Sequence, residues 1–265
     1  MTPPSRDKPE FPYWLIVVAA LGLWLFWMVF ADPVYSQALA TLGKGIGITI
    51  FVTIFAFTLA SGLGLLLAVA SLSRHVVPRQ AARLYVEVVR GIPIIVLLLY
   101  VAFVVAPAGV ILWNAVTEPL GLGPVRTRDF PLLWRAVIAL MIAYAAFLSE
   151  IFRAGLQSVD PGQIEAAKSL GLTGWMRFRH VVFPQAFRTI LPPYANDFVA
   201  MVKDSSLVSV LGVADITQLG KVTAAGNFRY FETYNVVALV YLVMTIGLSL
   251  ALRRLERKLA ERRGL

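Results

Sequence analysis

The sequence contains no cysteine and only two histidines, and charged residues make up 15% of its 265 positions. Without cysteine the chain has no disulfide, no thiolate metal site and no cysteine nucleophile. His75 and His180 each follow an arginine, and no third ligand stands at the spacing of a metal site, so we expect solvated loop histidines and no bound metal. The low charge, together with 58% hydrophobic residues, excludes an ordinary soluble globular domain. An integral membrane protein is the expected class.

The sequence also lacks the features of a nucleic-acid-binding protein or an enzyme, despite a formal charge of +9. Its basic residues flank apolar runs and form no patch interleaved with aromatics, so no nucleic-acid partner is expected. The pairs Gly43-Lys44 and Gly220-Lys221 lack the upstream glycine and the following hydroxyl residue of a phosphate-binding loop. No Ser-His-Asp set or carboxylate pair is placed on facing helices. We therefore expect no catalytic residues and no ATP hydrolysis in this chain.

The uncharged parts of the sequence are long apolar runs, which are candidate membrane-spanning segments. A membrane-spanning helix needs about 20 mostly apolar residues to cross a hydrocarbon core about 30 Å thick. The first run is longer than the core of a signal peptide and lacks a cleavage site, so we expect an uncleaved anchor. Pro93 and Pro107 are expected to kink or end the third run. Five or six runs qualify, and they cover residues 11–31, 45–73, 91–117, 132–152, 187–211 and 233–252.

The basic residues predict the orientation of these segments. Lysine and arginine accumulate in the cytoplasmic loops of membrane proteins. If the N-terminus lies in the cytoplasm, seventeen of the 24 basic residues face inwards and seven face outwards. Both termini are therefore expected in the cytoplasm. The basic end after residue 252 is expected to anchor the last helix at the membrane surface rather than to form a binding site.

A polar and basic segment, residues 158–185, lies between two of the apolar runs. Its sequence predicts a capped short helix to about residue 170, a left-handed turn, a second capped short helix, and a break before the chain re-enters the membrane. Such an element either lies among the lipid headgroups or forms a rigid knob for a groove on a soluble partner, and the residues alone leave both readings open. The residues behind these expectations are Asp160, Pro161, Gln163, Gly171, Thr173 and Pro184.

The same segment carries a sequence pattern made up of Glu165, Ala166, Ala167, Gly171, Val181, Phe183 and Pro184. At this spacing it resembles the EAA loop of permease subunits of ATP-binding-cassette (ABC) importers, with phenylalanine in place of the usual leucine. The likeness extends from about residue 42 to the C-terminus. Four further runs are similar to the histidine and glutamine type of polar amino acid uptake permease: RGIPIIVLLLY from Arg90, AYAAFLSEIFRAGLQSV from Ala143, PQAFRTILPPYANDF from Pro184 and KDSSLVSVLG from Lys203.

The resemblance implies a fold and a division of the chain. The fold would be all-α and polytopic, a type I ABC importer transmembrane domain with about six transmembrane helices in a bacterial inner membrane. Residues 1–31 would form a cytoplasmic N-terminus and an extra spanning helix, and residues 42–252 the transmembrane domain. Residues 158–185 would be its cytoplasmic coupling loop. Residues 253–265 would be a cytoplasmic basic tail.

The resemblance also implies a function and partners. The chain would form the pathway of an ATP-driven amino acid importer within the lipid membrane. Separate ATPase subunits would bind ATP and Mg²⁺, a second permease would be identical or different, and a periplasmic or lipid-anchored binding protein would deliver substrate. One alternative is import of another small polar solute, such as an osmolyte. Another is an ATP-independent carrier or channel, although secondary carriers often show inverted repeats that we do not find.

Two groups of site residues follow. The first couples to the ATPase and comprises Glu165, Ala166, Ala167, Gly171, Trp175, Arg177 and Pro184. The second is a proposed substrate pathway, because polar groups at membrane depth are costly unless they are buried, hydrated or paired. Pairing with neighbouring helices is the alternative explanation for these residues. The group comprises Asn196, Asp197, Lys203, Asp204, Ser205 and Ser206.

A carboxylate at the end of an apolar run and a group of small residues both predict close contacts in the fold. Glu150 lies near the end of an apolar run, where a lone carboxylate is unfavourable, and Arg153 three residues later is its expected partner. Small residues at Gly43, Gly45 and Gly47 allow close approach of another helix. Packing within the subunit and a dimer interface explain these glycines equally well.

Overall fold

Helices account for every regular element between residues 13 and 261, the part of the chain that the computed structural model describes. They include two π-helical turns, Val101–Val105 and Phe178–Val182, and a 3₁₀-helix over Ser205–Leu211. The α-helices are α1 (Tyr13–Ala31), α2 (Pro33–Ser71), α3 (Val76–Gly91), α4 (Ile94–Tyr100), α5 (Ala106–Thr117), α6 (Leu132–Gln157), α7 (Pro161–Ser169), α8 (Gly174–Arg177), α9 (Phe183–Asp204), α10 (Ile216–Asn227) and α11 (Tyr230–Glu261).

Four stretches within the described residues are long and apolar enough to cross a membrane. They are Pro33–Ser71, Ile94–Leu120, Leu132–Gln157 and Tyr230–Leu255. Helix α1 contributes a shorter apolar stretch, Ala19–Ala31, and the run predicted there begins at residue 11, outside the described part. The predicted run 187–211 lies in α9 and the following 3₁₀-helix. Charged residues and two internal prolines interrupt the apolar sequence of α9.

The centre of the fold is the pair α2 and α6, which run in the same direction. The rings of Phe51 and Phe55 pack on Trp134, with centroids 5.9 and 5.2 Å away. Further along, a Cβ atom placed on Gly64 would lie 3.0 Å from the Cβ of Leu148. Helix α9 runs in the opposite direction, because its beginning packs on the end of α6 and its end on the middle of α6. Helices α6 and α9, which follow one another along the chain with only the polar segment between them, thus run in opposite directions.

The prolines behave differently from one another. Helix α3 ends at Gly91, and Pro93 stands directly before α4, so the predicted interruption at Pro93 is confirmed. Neither Pro107 nor Pro184 ends a helix, and the predicted break at Pro184 is wrong. Each of these two prolines follows a π-helical turn, in which the amides of Ala106 and Phe183 donate to carbonyls five residues earlier. A widened turn accommodates a residue that has no amide hydrogen, so the helix continues.

Arg135 holds the segment between α5 and α6 against the bundle. The side chain is 6% exposed, and its Nε donates to the carbonyl of Phe130 at 3.0 Å. One Nη donates to the carbonyl of Ala102 at 3.0 Å, in the π-helical turn, and the other to the carbonyl of Thr127. Since the three carbonyls come from two parts of the chain, the guanidinium links them.

Gly45 and Gly47 differ in what a side chain would meet. A Cβ on Gly45 would lie 2.6 Å from the backbone carbon of Asp215 and from the backbone nitrogen of Ile216, whereas a Cβ on Gly47 would have no neighbour within 4 Å. Asp215 is fixed, because its carboxylate caps α10 through the amide of Gln218 (2.8 Å) and accepts from the hydroxyl of Tyr241 (3.1 Å). Gly45 therefore serves packing within the subunit.

We expect the Gly45→Val variant to be less stable than the matched Gly47→Val variant. Valine at position 45 must displace the backbone where α10 begins, and such overpacking costs about 1–3 kcal/mol. Thermal unfolding of the purified detergent-solubilised protein measures the difference. Equal melting temperatures for the two variants would contradict the packing role of Gly45.

Candidate functional site

The polar segment begins with a capped helix, as predicted. The carboxylate of Asp160 accepts from the amide of Gly162 at 2.6 Å, and Pro161 occupies the first turn of α7. Gln163 does not reach back to the cap, contrary to the capping-box expectation. Its Oε1 instead accepts from Nε2 of Gln185 at 2.5 Å, which joins α7 to the beginning of α9.

Helix α7 ends in a left-handed turn at Gly171, whose φ is 73°. The amide of Leu172 donates to the carbonyl of Ala167 at 3.1 Å, and that of Gly171 donates to the carbonyl of Lys168 at 2.9 Å. This pair of bonds is a Schellman motif, which requires positive φ at the glycine. The hydroxyl of Thr173 then accepts from the amide of Met176 at 3.4 Å and caps α8. Both predictions are confirmed.

The predicted coupling residues divide by exposure. Glu165, Ala166, Gly171 and Trp175 are exposed, and the indole of Trp175 is 67% accessible. Ala167 is buried and packs inside the segment. Arg177 and Pro184 are half-buried. The exposed members leave a glutamate, an indole and a left-handed glycine turn open to a partner.

An aromatic row connects the polar segment with the bundle. Trp175 stacks on Phe178 at 5.9 Å, Phe178 lies 6.0 Å from Phe183, and Phe183 lies 5.7 Å from Phe187. Behind this row is an apolar cavity of about 540 Å³, to which Phe152 of α6 also contributes. No loop separates α8 from α9, so the two form one continuous helical segment.

The end of α6 bears the expected ion pair. The guanidinium of Arg153 donates to the two carboxylate oxygens of Glu150 at 2.7 and 3.2 Å. A third guanidinium nitrogen donates to Oε1 of Gln157 at 2.8 Å. The carboxylate is thus paired, and the structural explanation for Glu150 is confirmed.

The predicted pathway residues separate into three environments. Asn196 and Lys203, seven positions apart on α9, are exposed. Asp197 and Asp204, also seven apart, are half-buried, and Asp204 accepts from the hydroxyl of Tyr144 on α6 at 2.8 Å. Ser205 is fully buried and donates to the carbonyl of Val202 at 2.7 Å, so it faces the subunit core. Ser206 is half-buried at the start of the 3₁₀-helix.

Sequence reasoning missed two hydroxyl groups beside this helix. Tyr144 was placed in an apolar run, yet its hydroxyl is bonded to Asp204. Tyr194 of α9 shares a hydrogen bond of 2.9 Å with Ser61 of α2. A tyrosine within a spanning segment was the available signal, because a buried phenol needs a hydrogen-bond partner. Between residues 13 and 261 no group of three or more His, Asp or Glu side chains is placed to hold a metal ion.

Known proteins match the chain over most of its length. The probable amino-acid permease protein YxeN of Bacillus subtilis is 36% identical over 225 residues, which is 85% of this chain and 94% of YxeN. The glutamine transport system permease protein GlnP of Escherichia coli strain K12 is 33% identical over 222 residues, 84% of this chain and 94% of GlnP. A crystal structure of an amino acid ABC transporter with histidines superimposes with a TM-score of 0.71 at 35% identity, covering 84% of this chain and 96% of the other.

The family comparison agrees with these relatives. Residues 60–263 match the family described as binding-protein-dependent transport system inner membrane component. The matched region contains α6, the polar segment and α9, which are the elements that carry the site. The chain therefore belongs to the family of inner membrane components of binding-protein-dependent transport systems.

Proposed function

We propose that the chain is the pathway-forming permease subunit of an ATP-driven amino acid importer. The observation that carries this proposal is the exposed, rigidly capped segment α7–α8, which continues without a break into α9. Helix α9 in turn carries the polar residues at membrane depth. Relatives whose names specify amino acids or glutamine support the substrate class.

The proposed assembly follows from the family. Two ATPase subunits bind ATP and Mg²⁺, and each docks on one α7–α8 segment of a permease pair, identical or different. A periplasmic or lipid-anchored binding protein delivers the amino acid from the other side. The permease spans a bacterial inner membrane six times with both termini in the cytoplasm. The basic-residue bias supports this orientation.

The proposed mechanism is a transfer of motion. Closure of the ATPases on ATP draws the two α7–α8 segments together. The bond between Gln163 and Gln185 and the aromatic row make α7, α8 and α9 move as one body. Tilting of α9 then changes which side of the membrane reaches its polar face. ATP shifts the complex toward the closed arrangement only as far as it binds that arrangement more tightly than the open one.

Uptake into proteoliposomes tests the proposal. The permease is reconstituted with the ATPase and binding protein encoded beside it, and radiolabelled L-glutamine, other amino acids and glycine betaine are offered with and without internal ATP. ATP-dependent amino acid uptake is expected. Uptake of glycine betaine but of no amino acid would show that the substrate is an osmolyte. Uptake at the same rate with and without internal ATP would favour a carrier or channel.

We expect the Glu165→Lys variant to weaken association with the ATPase about tenfold or more, since inverting a charge at a docked surface opposes electrostatic complementarity. The Glu87→Lys variant makes the same change at an exposed position of α3, outside the proposed contact, and is the matched control. The dissociation constant of the detergent-solubilised subunits measures the effect. Equal constants for the two variants would remove Glu165 from the docking surface.

A further inference from the structure

A polar pocket of about 280 Å³ lies between α9 and α11. Asn196 and Pro192 of α9 line one wall, and Ser249 and Arg253 of α11 line the other. Its composition differs from that of the larger cavity behind the aromatic row, which apolar and aromatic side chains line. Arg253 belongs to the basic end of α11, which sequence analysis assigned only to anchoring.

The groups on the pocket walls are available for a ligand. Among the side chains that the structure describes, none forms a hydrogen bond or ion pair with the guanidinium of Arg253 or the carboxamide of Asn196. The hydroxyl of Ser249 donates to the carbonyl of Thr245 at 2.7 Å and keeps its lone pairs as acceptors.

These groups match both ends of a zwitterion. A guanidinium and a carboxamide N–H₂ donate to a carboxylate, and guanidinium–carboxylate bonds are among the stronger hydrogen bonds in proteins. The oxygens of Ser249 and Asn196 accept from an ammonium group. The pocket is somewhat smaller than those that hold drug-sized ligands, which favours a small solute.

We propose that this pocket is a second binding site for an α-amino acid, reached from the cytoplasm and separate from the Asp197 and Asp204 face of α9. The proposal rests on the proposed function and orientation, which put the Arg253 end of α11 at the cytoplasmic side. A ligand that contacts both helices stabilises the arrangement in which they stand together. Since α9 continues from the coupling segment, amino acid that accumulates in the cytoplasm slows further import.

Inhibition from inside proteoliposomes tests the pocket. The full complex is reconstituted in phosphatidylcholine vesicles that contain ATP, with or without unlabelled internal L-glutamine or another amino acid that the uptake assay identifies as a substrate. We expect internal amino acid to lower initial uptake by about fivefold or more in the wild type, a typical size for coupling between sites. The Arg253→Gln variant is expected to lose this inhibition. The Arg254→Gln variant changes the neighbouring arginine, which does not line the pocket, and is expected to keep it.

A second variant and a lipid arm complete the test. The isosteric Asn196→Asp variant places a carboxylate against the ligand carboxylate and is expected to weaken the inhibition as well. A lipid phosphate offers similar anion chemistry, so the assay is repeated with phosphatidylglycerol, together with analysis of lipid that remains bound to the purified complex. Arg253-dependent retention of phosphatidylglycerol without inhibition by amino acid would overturn the proposal. If the wild type imports no amino acid, the proposed function fails, whereas import with equal inhibition in Arg253→Gln and Arg254→Gln refutes only the pocket.

Discussion

The Gly171→Val variant is expected to lose ATP-driven transport while the protein still inserts into the membrane. Gly171 has a φ of 73°, and a Cβ at this position would meet no atom within 4 Å. The effect of the substitution therefore comes from the backbone alone. A β-branched residue in the left-handed region carries a strain of about 1–3 kcal/mol, which is relieved by leaving that conformation.

Leaving the left-handed conformation disrupts the coupling segment. The bond from Leu172 to the carbonyl of Ala167 is lost, and α8 no longer holds a fixed angle to α7. The exposed Glu165 and Trp175 then cannot fit one rigid docking site together. Transport should fall about tenfold or more, because each 1.4 kcal/mol corresponds to a factor of ten.

The Gly174→Val variant is the matched control for Gly171. Gly174 lies three residues away in α8, has open space around its Cβ position and does not have a positive φ. The same substitution there should leave most of the transport intact. The measurements are amino acid uptake and ATP hydrolysis stimulated by the binding protein. Normal stimulation in Gly171→Val, or equal loss in both variants, would refute the role of the left-handed turn.

Local features of the polar segment were predictable from sequence, and features with distant partners were not. The caps at Asp160 and Thr173 depend on amides two or three residues away, so a short stretch of sequence specifies them. The prediction of a reciprocal cap from Gln163 failed because the side chain of Gln163 instead accepts a hydrogen bond from Gln185, 22 positions later. The prediction of a helix break at Pro184 failed because a π-helical turn precedes the proline.

The same distinction holds for the membrane helices. Apolar run lengths predicted α2 from Gly45 to its end, but its first turns, from Pro33 onward, lie in a less apolar stretch that the prediction left outside the membrane segment. The burial of Arg135 could not be predicted, because its carbonyl partner at Ala102 is 33 positions away. Counting charges assigned this arginine to the outer side only.

The two aspartates of α9 differ in their partners, which distinguishes a pathway residue from a structural one. Asp204 accepts from the hydroxyl of Tyr144, whereas Asp197 forms no hydrogen bond or ion pair with any described side chain. Removal of the Asp204 acceptor leaves the buried phenol of Tyr144 unpaired, which costs about 1–3 kcal/mol of stability. Removal of the Asp197 carboxylate breaks no hydrogen bond or ion pair with a described side chain. We therefore propose that Asp197 contacts substrate or water in the pathway.

We accordingly expect Asp197→Ala to lower amino acid uptake about tenfold or more, the effect of losing one charged contact, with an unchanged melting temperature. Asp204→Ala should lower the melting temperature, and Tyr144→Phe should remove most of that additional loss in a double-mutant cycle. Uptake, melting temperature and basal ATP hydrolysis are measured on the same preparations. Lys203→Ala, on the exposed face of α9, should follow Asp197→Ala if that face lines the pathway. Wild-type uptake and substrate preference in both Asp197→Ala and Lys203→Ala would exclude α9 as the pathway. The family assignment would remain intact, because the bond between Asp204 and Tyr144 would then give the polar residues of α9 a structural role.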